Sequence, residues 1–202
     1  MKIVCIGRNY AAHVRELNNA MPDEPVIFIK PDTAVLRNNA PFFIPEFTRD
    51  VHHEIEVVVK INKNGKSIPV QFAADYYDEI TLGIDFTARD LQSKLKEKGL
   101  PWEKAKGFDH SAVIGKFIPK TGLDMKNLDF HLTKNGEAVQ KGNTQMMMHS
   151  VDEVIAHVSQ YFMLKTGDLI FTGTPEGVGP VAAGDELKGF LGDTQPFRCG
   201  VR

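Results

Sequence analysis

His52-His53-Glu54-Ile55-Glu56-Val57-Val58-Val59-Lys60-Ile61 reads as a β-strand, and two of its side chains carry chemistry. Side chains alternate across a strand, so residues two apart share a face. Ile55, Val57, Val59 and Ile61 form an apolar face, while Glu54 and Glu56 project from the other together with Val58. A face that carries Val58 is predicted to be partly buried. Two like charges held side by side there repel, and one is driven toward protonation unless a cation neutralises the pair. A metal ion is the direct neutraliser. The competing reading is a solvent-facing edge strand with two hydrated glutamates, since exposed charged faces are common.

Asp85 tips the balance. Ile80, Leu82 and Ile84 alternate as a second strand, and Asp85 stands where that strand ends and a helix begins. A carboxylate at a strand terminus can reach a site shared with a neighbouring strand. Three carboxylates with no cysteine nearby make an all-oxygen site suited to Mg²⁺, Mn²⁺ or Ca²⁺. His52 and His53 raise zinc as an alternative, but His53 points away from the glutamates on the alternating pattern, and zinc seldom uses three carboxylates. His52 shares their face and is left a supporting role around the ligands.

Short strands dominate the remaining chain: Lys2–Ile6, Val26–Ile29, His53–Ile61, Ile80–Asp85, Ala112–Phe117, Asp129–Lys134, Asp168–Thr172 and Glu186–Leu191. Asn135-Gly136 predicts a two-residue hairpin returning through Glu137–Gln140. Asn64-Gly65 predicts a second, with Lys66–Val70 as the return. Thr87 to Asp90 resembles a capping box with Asp in place of Glu, opening a helix through Leu91 and Leu95 that stops at Gly99 and Pro101. Ser150-Val151-Asp152-Glu153 is a full capping box, followed by a stripe of Val151, Val154, Ile155, Val158 and Phe162. A shorter helix is expected from Ala11 to Asn19. Strands and helices do not alternate as a doubly wound fold requires, so residues 1–202 are expected to form one mixed, strand-rich α+β domain.

Composition narrows the classes. The chain has 202 residues, a formal charge of −2 and a pI near 6.4. That balance gives no electrostatic footprint for nucleic acid or an anionic membrane. Lys94, Lys96 and Lys98, interleaved with Leu95 and Glu97, read as the wet face of a helix. The apolar run from Ile3 to Ile6 is too short for a signal-peptide core, and no stretch approaches a membrane span. Cys5 and Cys199 lie at opposite ends without metal-ligand spacing. A staple between them stays open, but two buried thiols in a reducing cytoplasm is the favoured reading.

Three further groups are candidates for chemistry. His13 and Glu16 meet if their segment is helical. A carboxylate on one imidazole nitrogen raises the basicity of the other, giving a base that deprotonates water near neutral pH, although surface His–Glu pairs are common. Lys106 lies in a loop after the helix from Thr87, either as an anion-binding ammonium or as a solvated lysine. Thr172-Gly173-Thr174-Pro175-Glu176-Gly177-Val178-Gly179 makes a tight loop whose N–H groups could hold a carboxylate. It lacks the Gly-Lys-Ser/Thr ending of a phosphate loop.

In order along the chain, Gly7–Glu16, Phe28–Pro31, His53–Glu56, Gly83–Gln92, Lys106–Asp109 and Thr172–Gly179 resemble the signatures of the fumarylacetoacetate hydrolase family. The similarity is greatest to its short acylpyruvase and oxaloacetate decarboxylase branch. The resemblance implies a predominantly β, mixed β-roll/β-sandwich fold with a few helices, usually a homodimer, with Mg²⁺ or Mn²⁺ bound. On matching residues, Glu54, Glu56 and Asp85 would ligate the metal, and His13 and Glu16 would activate water from a lid segment. Lys106 would stabilise negative charge, while Arg8, Gln92 and Thr174 would hold substrate carboxylate and oxo groups. Gln145-Met146-Met147-Met148-His149 and His110 depart from the family pattern and put the substrate's shape in question.

The implied activity is cleavage of a carbon–carbon bond in a small 2,4-dioxo acid, with a pyruvate enolate stabilised by the metal and Lys106. Oxaloacetate yields the same enolate by losing CO₂, so hydrolysis, decarboxylation and tautomerisation can share one site. One alternative is an isomerase or decarboxylase of 5-carboxymethyl-2-hydroxymuconate-type diacids. Another is a non-catalytic, metal-dependent 2-oxo acid binding protein.

Overall fold

The computed structural model describes residues 1–202. Fifteen strands form three sheets. The largest contains β1 (Ile3–Gly7), β2 (Val26–Lys30), β3 (Val35–Leu36), β5 (Ile55–Ile61), β6 (Tyr77–Asp85), β8 (Ala112–Ile114), β9 (Ile118–Pro119) and β12 (Leu169–Phe171). Its order is β2-β1-β12-β5-β6-β8-β3, with β9 on β6. A second sheet, β11-β10-β14-β15, is built from β10 (Asp129–Lys134), β11 (Glu137–Asn143), β14 (Glu186–Leu191) and β15 (Thr194–Gly200). A small third one joins β4 (Val51–His53) to β7 (Thr87–Ala88) and β13 (Gly179–Pro180). Five helices complete the chain: α1 (Ala11–Glu16), α2 (Val70–Ala73), α3 (Arg89–Glu97), α4 (Glu103–Lys106) and α5 (Val151–Tyr161).

β5 is a central strand, paired with β12 on one side and β6 on the other. Its odd face packs Ile55, Val57, Val59 and Ile61 into a core shared with Phe130, Leu132, Leu187 and Phe197 of the second sheet and Val154, Ile155 and Val158 of α5. Its even face is buried too. Val58 joins Ile3, Cys5, Ala112, Leu169 and Phe171 in a second apolar cluster. The edge-strand reading of the glutamates is thereby excluded.

The Asn135-Gly136 hairpin forms, with both residues at positive φ (55° and 89°) as the twist-matched turn requires. The Ser150 capping box is complete: Ser150 Oγ accepts from the Glu153 N–H and Glu153 accepts from the Ser150 N–H. Several expectations are corrected. The strand expected over His53–Ile61 breaks at Glu54, where the chain leaves the small sheet and enters the large one. The expected return Lys66–Val70 is not a strand. Gly65 instead pairs with Leu164, and Ser67 and Ile68 donate to Ser159 at the end of α5. Thr87 caps nothing: it lies in β7, α3 starts after Ala88, and Asp90 is taken up by Thr48 and the Arg49 and Leu91 amides. Phe162 leaves the stripe of α5 because the chain turns extended there. The Ala112 strand stops at Ile114: Gly115 still donates to the Leu82 carbonyl of β6, but the Lys116 N–H turns to the Pro196 carbonyl. No helix is long and apolar enough to cross a membrane.

Candidate metal centre and active site

The break at Glu54 builds the site. β5 and β6 pair with Ile55 opposite Ile84 and Glu56 opposite Gly83, and the Asp85 N–H donates to the Glu54 carbonyl at 2.8 Å. Asp85 is thereby set beside Glu54 at the strand ends. Gly83 is needed across from Glu56, because a Cβ there would sit 2.6 Å from the Val113 carbonyl. One ligand oxygen from each of Glu54, Glu56 and Asp85 lies within 4.8 Å of the others, and all three residues are buried.

Three cations face these carboxylates, Lys30 and Lys106 buried and Arg89 partly so. Lys106 Nζ donates to Glu54 Oε2 (2.8 Å), Asp85 Oδ2 (2.7 Å) and Thr87 Oγ1 (2.6 Å). Lys30 Nζ, fully buried, lies 2.8 Å from Asp85 Oδ1 without hydrogen-bond alignment and donates to Ser111 and to the Lys106 carbonyl. Arg89 pairs with Glu54 and donates to Gln92 Oε1 at 2.7 Å. Glu56 accepts one hydrogen bond, from the Gly173 amide at 2.6 Å.

Environment splits the two glutamates. Burial opposes charge on Glu54, but Lys106 and Arg89 overcome it and hold this carboxyl well below its usual range. Burial pushes Glu56 well above that range, reinforced by Asp85 and Glu54 and only partly opposed by the Gly173 amide. Burial also works against charge on Lys106, yet Asp85 and Glu54 hold its ammonium above the ordinary value. Glu56 is thus the carboxyl that lacks a cation, and Asp85 Oδ1 lacks an aligned donor. A divalent oxygen-seeking ion fits both deficits.

α1 closes over this centre. His13 Nδ1 lies 3.2 Å from Glu16 Oε2, and Glu16 Oε1 accepts from the Gly177 N–H at 2.9 Å. Asn9 fixes the root of α1, donating to the Thr172 and His149 carbonyls and accepting from the His149 N–H. A cavity of ≈ 40 Å³ is lined by His13, Glu54, Glu56, Asp85 and Lys106 together with Arg8, Gln92 and Thr174. Every residue expected at the site faces it except Glu16, which stands behind His13.

Residues 2–200 match the fumarylacetoacetate (FAA) hydrolase C-terminal family. The chain belongs to the fumarylacetoacetate hydrolase family. It is 46% identical over 187 residues to the mitochondrial oxaloacetate tautomerase FAHD1 of Bos taurus, covering 92% of this chain and 85% of that protein. It is 44% identical over 189 residues to a mitochondrial oxaloacetate decarboxylase of Dictyostelium discoideum, covering 93% and 87%. Among solved structures, a fumarylpyruvate hydrolase from Pseudomonas aeruginosa, in complex with Mn²⁺ and pyruvate, superposes with a TM-score of 0.94 at 37% identity, covering 100% of this chain and 89% of that one.

Of the two sequence readings of Lys106, burial excludes the solvated one, and the residue ends α4 rather than lying in a loop. Other residues at this family site escape a reading of the sequence. Arg89 and Phe28 line the cavity, and Lys96 keeps the exposed place on α3 expected of it while reaching the cavity's rim. The Phe28 ring centroid lies 5.1 Å from Lys106 Nζ. Gln140, from the second sheet, is the least foreseeable. Its Oε1 accepts from the Ile55 N–H (3.1 Å) and lies 2.9 Å from His53 Nδ1, while its Nε2 donates to Thr174 Oγ1 (2.9 Å). His53 is therefore held by Gln140, and His52 by Asp50, so neither histidine reaches the carboxylates. The atypical Gln145–His149 stretch packs against Asn9 and Tyr10, and His110 is exposed; neither lines the cavity.

Proposed function

We propose that this enzyme cleaves or isomerises small 2-oxo acids bearing a second carbonyl or carboxyl at C4, with oxaloacetate and acylpyruvates as substrates. One observation carries the reading: the His13–Glu16 pair, Lys106 and the three carboxylates converge on one cavity. Glu54, Glu56 and Asp85 would hold Mg²⁺ or Mn²⁺, whose Lewis acidity when bound favours negative charge on a 2-oxo acid. Gln92 and Thr174 orient the C2 oxo and C1 carboxylate end, and Arg8 supplies a cation at the mouth.

For an acylpyruvate, His13 takes a proton from water, and Glu16, held by Gly177, balances the imidazolium that results. The hydroxide adds to C4, the C3–C4 bond breaks, and its electron pair leaves as a pyruvate enolate. Lys106 faces that developing charge, and protonation at C3 completes pyruvate. With oxaloacetate, breaking C3–C4 releases CO₂ and leaves the same enolate without water. Keto–enol exchange of oxaloacetate moves a proton between C3 and the C2 oxygen and breaks no carbon–carbon bond. The name of the bovine relative favours this third outcome.

The reading extends to a single domain over residues 1–202 that pairs as a homodimer. A reducing, cytoplasm-like compartment suits Cys5 and Cys199, both free and buried. Incubation with oxaloacetate, acetylpyruvate and fumarylpyruvate in saturating Mg²⁺, following pyruvate release and enol absorbance, tests the activity. Turnover that chelation abolishes is expected. Inertness toward all three, or turnover indifferent to chelation, would refute it.

A further inference from the structure

The cations of the cavity fall into two groups. Lys30, Lys106 and Arg89 are each paired with Glu54 or Asp85. Arg8 and Lys96 line the same cavity and make no ion pair. Lys96 Nζ donates to the neutral Asn19 Oδ1 at 2.6 Å, and Arg8 Nη1 reaches only the Ala20 carbonyl at 3.4 Å. Arg8 is also held at φ 61°, a left-handed backbone that residues with a Cβ seldom adopt. Arg8 is half-buried and Lys96 exposed at this rim, so two cations stand there without a carboxylate partner. Burial, then Arg8 and Arg89, push the Lys96 ammonium below its ordinary value. An arriving anion would supply the missing partner.

We propose that Arg8 and Lys96 form a subsite for the far carboxylate of a dicarboxylic 2-oxo acid, selecting dianions over 2-oxo acids with an uncharged far end. This rests on the reading that the near carboxylate and C2 oxygen seat at the end lined by Glu54, Glu56 and Asp85. The subsite also biases the reaction. In decarboxylation the C3–C4 electron pair moves to C3 and the carboxylate departs as neutral CO₂. Cations holding that carboxylate stabilise the ground state more than a transition state in which its charge is leaving. In keto–enol exchange the far carboxylate keeps its charge and its partners throughout. Arg8 and Lys96 therefore hold oxaloacetate for proton transfer and retard CO₂ loss.

Calorimetric titration in saturating Mg²⁺ tests the subsite without turnover. It compares 2-oxoglutarate, whose far carboxylate does not leave, with pyruvate, which has none, in wild type, Lys96→Met, Lys96→Arg and Asn19→Ala. Wild type should prefer the dicarboxylate by about tenfold or more, the scale of a charge-assisted hydrogen bond. Lys96→Met should bring that ratio close to one, while Lys96→Arg and Asn19→Ala should keep most of it. A wild type without preference, or Lys96→Met weakening both ligands equally, would overturn the subsite. On oxaloacetate, CO₂ release relative to keto–enol exchange should rise in Lys96→Met, and an unchanged ratio would overturn the proposed bias. A wild type that prefers 2-oxoglutarate yet leaves oxaloacetate untouched would retract the functional reading and leave the subsite standing.

Discussion

Lys106→Met is the most searching perturbation of the centre, because it removes the charge and keeps the length of the side chain. The ammonium contacts Glu54, Asp85 and Thr87 at 2.6–2.8 Å with a side chain only 5% exposed. Removing one partner of a buried ion pair typically costs about 3–5 kcal/mol, since the other charge is left uncompensated. Arg89 and Lys30 remain beside Glu54 and Asp85, which places the expected loss near the lower figure. For a chain of this size about 3 kcal/mol corresponds to a fall in Tm of roughly 6–12 °C. The sign of the pH dependence follows from the carboxyls. Without Lys106, Glu54 loses its main counter-charge and joins Glu56, already raised by burial, so the folded state keeps protons that the unfolded chain releases. Stability then declines as pH rises above the unfolded carboxylate range, and the deficit should be greater at pH 8 than at pH 5.5. Mg²⁺ replaces the missing charge, so its stabilising increment should be larger in the variant than in wild type. Thermal melts of both proteins in chelator and in Mg²⁺, at the two pH values, decide the matter. Equal Tm values in chelator, or equal Mg²⁺ increments, would show that Lys106 does not neutralise the carboxylates in the metal-free protein.

Glu56→Gln keeps size and removes charge. It should abolish turnover and weaken Mg²⁺ binding by calorimetry while the far-ultraviolet spectrum stays native. His13→Ala should lower acylpyruvate cleavage by about 10²-fold or more, the scale of a lost general base, and affect oxaloacetate decarboxylation less. Equal losses on both substrates would make His13 a positioning group. Gln140→Leu leaves the Ile55 N–H without its acceptor and Thr174 without its donor, so a loss of about 1–3 kcal/mol in denaturant melts is expected. Amide exchange over residues 9–20 should slow when oxalate and Mg²⁺ are added together. α1 is six residues long, lacks a side-chain N-cap and is tied across the cavity by single contacts from Glu16 and Asn19. Unchanged protection at saturating oxalate would argue against closure.

What the sequence reveals about this fold is what is local. Asn135-Gly136 dictates its own turn, and Ser150 to Glu153 cap their own helix, so both are legible from a handful of neighbouring residues. The alternation from Ile55 to Ile61 likewise reports a strand with an apolar face, and the burial of Val58 shows that its second face is covered as well. Asn64-Gly65 misleads because its partner is Leu164, a hundred residues away, and no local pattern reveals that competition. Thr87 misleads for a different reason. Its hydroxyl accepts from Lys106, so a tertiary contact displaces the cap that the spacing suggests.

The same division runs through the site. Glu54, Glu56 and Asp85 are found by strand periodicity, but their counter-charges are not, because Lys30, Arg89 and Lys106 arrive from β2, α3 and α4. Those cations change what the acidic cluster means. Three carboxyls against three cations leave the centre near neutrality before any ion binds. Glu56 is the one carboxyl driven toward protonation. A divalent cation entering there adds positive charge that the protein does not cancel, and Arg8 and Lys96 add more at the mouth. A monoanionic 2-oxo acid would leave the two cations at the mouth without a partner. A dicarboxylic one brings one negative charge to each end. On the proposed subsite, the cationic balance of the whole cavity, rather than the acidic triad alone, selects the substrate.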